Sequence, residues 1–190
     1  MAEKILFKAK IEHNEDTIEK MYVARYNSYE KLRAISRPAI GLVMVFVAAF
    51  ANVSNIFRAL LLLVGAWLLV SGDFPAQIKA DRVMQARHGS VPEMKYEFYS
   101  SEMRIIENGQ SKNMKYGKIA RLVTDFDYFY LFFSKDSCCM VDRKTIGPGT
   151  DEELAALLAD KSGAEWRQDR PLLSMNFYNI RNMIRDRRKK

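Results

Sequence analysis

The chain has 190 residues, with 30 Lys and Arg against 23 Asp and Glu and a formal net charge of +7. Hydrophobic residues make up 48% and charged residues 28%, which excludes a wholly disordered, collagen-like or disulfide-stapled chain. The averages conceal one asymmetry: Pro38 to Gly72 is a run of 35 residues with a single charge, Arg58, and the rest of the chain is more polar and about the size of one domain.

Met1 to Lys8 carries charges throughout and has no apolar run of signal-peptide length, so no cleavable signal is expected. Ile5, Phe7, Ala9 and Ile11 alternate with Lys4, Lys8 and Lys10, the pattern of a half-buried strand, and residues 1–13 are predicted to contribute that strand to a cytoplasmic barrel. Asn14 then caps a helix with Glu15 and Asp16 in its first turn. Ile18, Met21, Tyr22, Arg25, Tyr26 and Tyr29 form a stripe at helical spacing, so residues 14–37 are read as an amphipathic juxtamembrane helix running into the apolar segment.

Residues 38–72 form two halves, each apolar all round, which is the signature of helices buried in lipid or in a large core. The rest of the chain is too small to surround them, so a transmembrane helical hairpin is predicted. A span needs roughly 20 residues to cross a ~30 Å hydrocarbon core. Pro38 to about Phe57 reaches that length, whereas the second half has only 14 residues between Arg58 and Asp73 unless Phe74 to Ile78 extend it. An Arg at the bilayer centre costs roughly 3 kcal/mol or more, which assigns Arg58 to the transmembrane turn. Gly41, Ala48, Gly65 and Ala66 are small enough to let the two helices approach closely. Lys20, Arg25, Lys31, Arg33 and Arg37 precede the hairpin and Lys79, Arg82 and Arg87 follow it, which predicts both termini on the cytoplasmic side. A soluble helical hairpin or a re-entrant loop is the alternative.

Residues 73–92 are read as a basic connector with a helix over Ala76 to Arg87. From residue 93 short strands crowd together: Met94 to Phe98, Met103 to Glu107, a return strand through Met114 and Tyr116, Lys118 to Thr124, Tyr128 to Phe133, and Cys138 to Val141. Asn108-Gly109 is a strong hairpin signal, and Tyr128 to Phe133, apolar on both faces, reads as a central strand. Thr150 to Glu153 is a capping box, Leu154, Leu157 and Leu158 are the buried stripe of a helix, and Gly163 is its C-cap. About seven strands and one capping helix over residues 93–163 plus the N-terminal strand define an α+β fold. Its soluble part is a pleckstrin-homology-like (PH-like) antiparallel β-barrel or meander whose first strand is split off by the hairpin.

Residues 164–190 form the last segment, with eight Lys and Arg against three Asp and Glu. Leu173, Phe177, Ile180 and Ile184 repeat at helical spacing, and Arg181, Arg185, Arg187, Arg188, Lys189 and Lys190 supply the charge. This reads as a basic amphipathic tail, and those six cations are the candidate contacts to anionic lipid at the membrane surface. A helix docked on the barrel, and a protein or nucleic-acid contact, are the alternatives; nucleic acid is the weakest of these because no binding motif accompanies the charge.

No catalytic constellation with adequate spacing is present. Gly147-Pro148-Gly149 lacks the Lys-Ser/Thr of a phosphate loop and reads as a turn, and there is no Gly-x-Ser-x-Gly elbow. Asp125 and Asp127 flank Phe126 and read as a solvated turn, with a carboxylate pair as the alternative. Cys138 and Cys139 are adjacent, hence on opposite faces of a strand, and read as small apolar residues in a reducing compartment. His13 and His88 have no ligand-spaced partner, so neither a metal nor a cofactor is expected.

The segments Phe98-Tyr99-Ser100-Ser101-Glu102-Met103, Met114-Lys115-Tyr116-Gly117-Lys118-Ile119, Asp127-Tyr128-Phe129-Tyr130-Leu131-Phe132 and Met140-Val141-Asp142-Arg143-Lys144 carry a resemblance to the YcxB-like family of bacterial membrane proteins. The N-terminal strand, the acidic-capped helix and the paired spans fit the same pattern, and the likeness covers roughly residues 5–160. Asp142-Arg143 departs from it, because the family often has a Pro-Lys pair there. The resemblance implies a PH-like domain anchored in the bacterial inner membrane and no known reaction.

The expected function is therefore a non-catalytic binding or scaffolding module, integral to the bilayer, with a protein partner at the cytoplasmic face. Tyr128 to Phe133 would be contact candidates if unburied. A sensor of anionic lipid or envelope state acting through the tail is the second reading, and a membrane enzyme with an unrecognised site the third.

Overall fold

The computed structural model describes residues 4–87 and 90–169 of the chain. The described residues form an α+β fold, with two open four-stranded sheets and five α-helices among them. The described chain divides into two compact units, one holding residues up to 24 and from 80 to 169, the other residues 25–79.

In the first unit, β1 (Phe7–Glu12) pairs antiparallel with β2 (Glu93–Phe98), which pairs with β3 (Glu102–Glu107), which pairs with β4 (Gln110–Lys115). The alternation in β1 fixes its register: Ala9 faces Tyr96 and Phe7 faces Phe98, with Ala9, Tyr96 and Phe98 all buried. Asn108 and Gly109 both take positive φ, 49° and 79°, as a two-residue turn matched to the strand twist requires. The return strand stops one residue early, because Tyr116 opens a single 3-10 turn, Tyr116–Lys118, and donates its buried hydroxyl to the Tyr99 carbonyl at 2.8 Å.

The second sheet has the order β7-β6-β5-β8, built from β5 (Arg121–Thr124), β6 (Tyr128–Phe132), β7 (Cys138–Asp142) and β8 (Trp166–Gln168). β6 is an interior strand, and Phe129 to Phe132 are buried. Neither sheet closes on itself, so the expected closed barrel does not form among the described residues; the strands make two open sheets. Lys8 of β1 forms an isolated antiparallel bridge to the segment that follows β7: its amide donates to the Gly147 carbonyl at 2.5 Å and its carbonyl accepts from the Gly147 amide at 2.9 Å. Between β7 and β8 lies α5 (Asp151–Ser162), with both halves of the Thr150–Glu153 capping box formed, Leu154 and Leu158 fully buried, and Gly163 at φ 69° as C-cap.

β8 corrects the placement of the tail at residue 164. It runs parallel to β5, with Leu122 opposite Trp166. The Trp166 ring packs 4.7 Å from that of Phe129, and its Nε1 donates to the Ala155 carbonyl at 2.9 Å. Residues 166–168 thus belong to the folded unit. The rest of the predicted tail, with Arg181, Arg185, Arg187, Arg188, Lys189 and Lys190, lies outside the described residues, as does His88.

α1 (Glu15–Tyr29) starts as predicted, with Asn14 Oδ1 accepting from the Thr17 amide at 2.9 Å. It does not run on into the apolar segment. The helix breaks at Glu30 (φ −117°, ψ 38°), and α2 (Lys31–Phe50) begins afresh with Pro38 inside it. A break at Ala51 to Ser54 leads to α3 (Asn55–Val70), so the connection precedes Arg58, which sits in the first turn of α3. Its amide bonds the Ser54 carbonyl at 2.9 Å. The predicted extension of the second half is helical but not collinear: α3 and α4 (Phe74–Ala86) are bent by 54°.

α2 and α3 pack on each other through glycine. A Cβ on Gly41 would lie 2.7 Å from the Gly65 carbonyl oxygen, and one on Gly65 2.9 Å from that of Gly41, so the two backbones touch where any other residue would separate them. Ala48 is also buried, whereas Ala66 faces outward. Within the described residues α2 alone is long and apolar enough to cross a membrane, and α3 with α4 reaches that length only as a bent pair.

Candidate functional site

The second unit contains a cavity of about 410 Å³, lined by Tyr26, Glu30, Arg33, Ser36, Arg37, Pro75 and Lys79. Two interruptions of helix create it. The break at Glu30 redirects the chain between α1 and α2, and the bend before Phe74 brings the start of α4 to the same place.

Glu30 is the hub of the cavity's charge. One carboxylate oxygen pairs with Arg33 Nη1 and the other with Lys79 Nζ, each at 3.2 Å. Three cations against one carboxylate leave the lining positive. Arg37 makes no side-chain hydrogen bond or ion pair among the described residues. The Tyr26 hydroxyl is likewise buried without a hydrogen-bond partner. Burial pushes its pKa up, against the opposing pull of Arg37, so the group stays a neutral donor. The arrangement presents donors from α1, α2 and α4 and keeps its one carboxylate occupied, which is chemistry suited to an anion.

These residues lie 53 positions apart at the extremes, Tyr26 to Lys79. Arg33, Arg37 and Lys79 were visible in the sequence as cations flanking the apolar run, but nothing in their spacing showed that they converge.

The other sequence candidates have structural occupations. Asp125 accepts from the amides of Asp127 (2.9 Å) and Tyr128 (2.7 Å) through Oδ1, and from the Tyr130 hydroxyl (2.6 Å) through Oδ2. Asp127 instead pairs with Lys144 at 2.8 Å and Lys20 at 4.0 Å. The two carboxylates therefore organise the β5–β6 turn. Asp125→Ala leaves the buried Tyr130 hydroxyl without its acceptor and is expected to destabilise this unit by about 1–3 kcal/mol. A denaturation midpoint followed by Trp166 fluorescence, with Trp67 replaced by Phe, would measure it.

Asp142 and Arg143 also have evident roles. Asp142 Oδ1 accepts from the Lys144 amide at 2.9 Å, capping a 3-10 turn. Arg143 bonds the Asp125 carbonyl at 3.0 Å and Asp151 at 2.6 Å, tying the β5–β6 turn to the start of α5. Phe129 to Phe132 lie in the core and offer no contact surface, and Tyr128 and Phe133 are half-buried; at the β5–β6 turn beside them Phe126 is 91% accessible.

Cys138 and Cys139 are free, and burial pushes the Cys139 thiol up to about 12, which leaves it unreactive at neutral pH. Among the described residues no three His, Cys, Asp or Glu side chains converge as metal ligands. No family model, curated protein or solved structure matches this chain.

Proposed function

We propose that the chain is a non-catalytic, membrane-anchored binding module of the bacterial inner membrane. In this reading it is a PH-like body, similar to the YcxB-like family, held by a two-helix anchor with both termini cytoplasmic. The observation that carries the reading is the outer surface of α2 and α3. The helices use their small residues on each other and turn their large apolar side chains outward: Phe46 is 63% exposed, Leu63 73% and Trp67 59%. A contiguous surface of that kind is unfavourable in water and is what hydrocarbon covers. The 16 residues of α3 span only about 24 Å at 1.5 Å per residue, so the second crossing draws on Phe74 to Ile78 or on local thinning.

The test has two stages. Alkaline extraction of membranes from expressing cells should leave the full chain in the pellet; recovery in the supernatant refutes the anchor. Mild-detergent capture from native membranes then compares the full chain with one ending at Asp169, a cut that keeps β8. A stoichiometric protein retained by both forms places the contact on the folded body. If only the full chain enriches anionic lipid and neither holds a protein, the tail-based lipid sensor replaces the scaffold.

A further inference from the structure

We infer that the cavity formed by Tyr26, Arg33, Arg37 and Lys79 is a phosphate site that takes the headgroup of an anionic phospholipid from the cytoplasmic leaflet. This rests on the membrane anchoring proposed above. Three observations converge on it. The first is charge: the lining is positive, and its only carboxylate is already shared between Arg33 and Lys79. Glu30 thereby holds those two cations about one point without itself being free to repel a phosphate strongly.

The second is unused donor capacity. Among the described residues the Arg37 guanidinium, with five N–H donors, makes no side-chain hydrogen bond or ion pair, and the buried Tyr26 hydroxyl has no hydrogen-bond partner. A phosphate oxygen satisfies both, and Arg suits it because the planar fork can donate two parallel hydrogen bonds.

The third is position along the chain. Arg37 is the last charged residue before the apolar run of α2, and Lys79 is the first cation after that of α3. The cavity's cations therefore stand where the polar chain enters α2, at Arg37, and where it continues in α4 past the end of α3 and the buried Asp73, at Lys79. In a bilayer that level is the headgroup layer, where basic cavities between helices hold anionic lipids. At about 410 Å³ the cavity accommodates a phosphodiester and its glycerol, and Pro75 supplies an apolar wall.

The experiment uses the full chain in mild detergent, delipidated and titrated with dihexanoyl phosphatidylglycerol, dihexanoyl phosphatidylcholine or inorganic phosphate, with the unfolding midpoint as readout. Phosphatidylglycerol should raise the midpoint at concentrations where the other two do not. Arg37→Gln breaks no ion pair among the described residues and should weaken the response about tenfold or more, the scale of a lost charge-assisted hydrogen bond. Tyr26→Phe should weaken it several-fold.

A full-length chain with Arg185, Arg187 and Arg188 changed to Gln controls for the tail and should retain the response. Loss there with an unchanged R37Q response overturns the cavity as the site. An equal response to inorganic phosphate overturns the lipid as its source, and an equal response to phosphatidylcholine overturns anion selectivity. Alkaline extraction of the same proteins separates the two ideas. A wild type released by alkali removes the anchor and this inference with it, whereas a membrane-retained wild type that ignores phosphatidylglycerol removes this inference alone.

Discussion

Phe46→Asp is expected to remove the chain from the membrane. Phe46 lies near the middle of the Pro38 to Phe50 apolar run, is 63% exposed, and has its ring centroid 4.6 Å from that of Phe50. An Asp at the centre of a spanning helix costs about 2.5–3.5 kcal/mol of insertion free energy, equivalent to roughly a 70- to 400-fold change in partitioning. In water the same substitution replaces a 63%-exposed Phe with a charge, and the chain would become more soluble at no cost to its fold. The fraction resistant to alkaline extraction separates these outcomes, with Lys112→Asp on the exposed β4 as a charge control.

Leu63→Asp extends the experiment to α3. Ejection by both substitutions means that both helices contact lipid. A harmless Leu63→Asp beside a disruptive Phe46→Asp means that α2 crosses alone. That second outcome would put the segments before and after it on opposite faces and overturn the shared cytoplasmic location of the termini.

The features that sequence made legible are those set by local rules. Alternation in β1 identified its buried face, because successive side chains of a strand point to opposite sides. Asn108-Gly109 identified a hairpin because few other pairs accept two positive φ values, and the Thr150 capping box identified the start of α5 because it closes within four residues.

What sequence left hidden was non-local. β8 is three residues, Trp166–Gln168, with no alternation to read; it is a strand only because β5 offers an edge and Phe129 receives the Trp166 ring. The break at Glu30 has no Pro or Gly to announce it, and Pro38, where the apolar run begins, is accommodated inside α2. The cavity depends on both this break and the bend after Val70, so its residues could be identified as flanking cations but not as a site. Arg58 shows the same limit: hydropathy put it at the turn, and the Ser54 cap puts it one helical turn further on.

His13 gives the first unit a built-in response to acid. The side chain is 5% exposed, and its pKa is lowered to about 4 by burial first and by the positive charge of Arg87 second. In the unfolded chain it titrates near its ordinary value of 6.5. Between those two values the unfolded state binds a proton that the native state refuses, so stability is complete above about pH 6.5 and falls as pH drops towards 4. A shift of this size is worth about 3 kcal/mol by proton linkage, a large share of the 5–15 kcal/mol that holds an ordinary domain together. Denaturant midpoints measured with the Trp166 signal at pH 7, 6, 5 and 4 should therefore decline, most steeply over the lower half of that range. His13→Asn removes the titrating group and should flatten the decline, whatever it does to stability at pH 7. An H13N chain with the same pH slope as wild type would assign the acid sensitivity elsewhere.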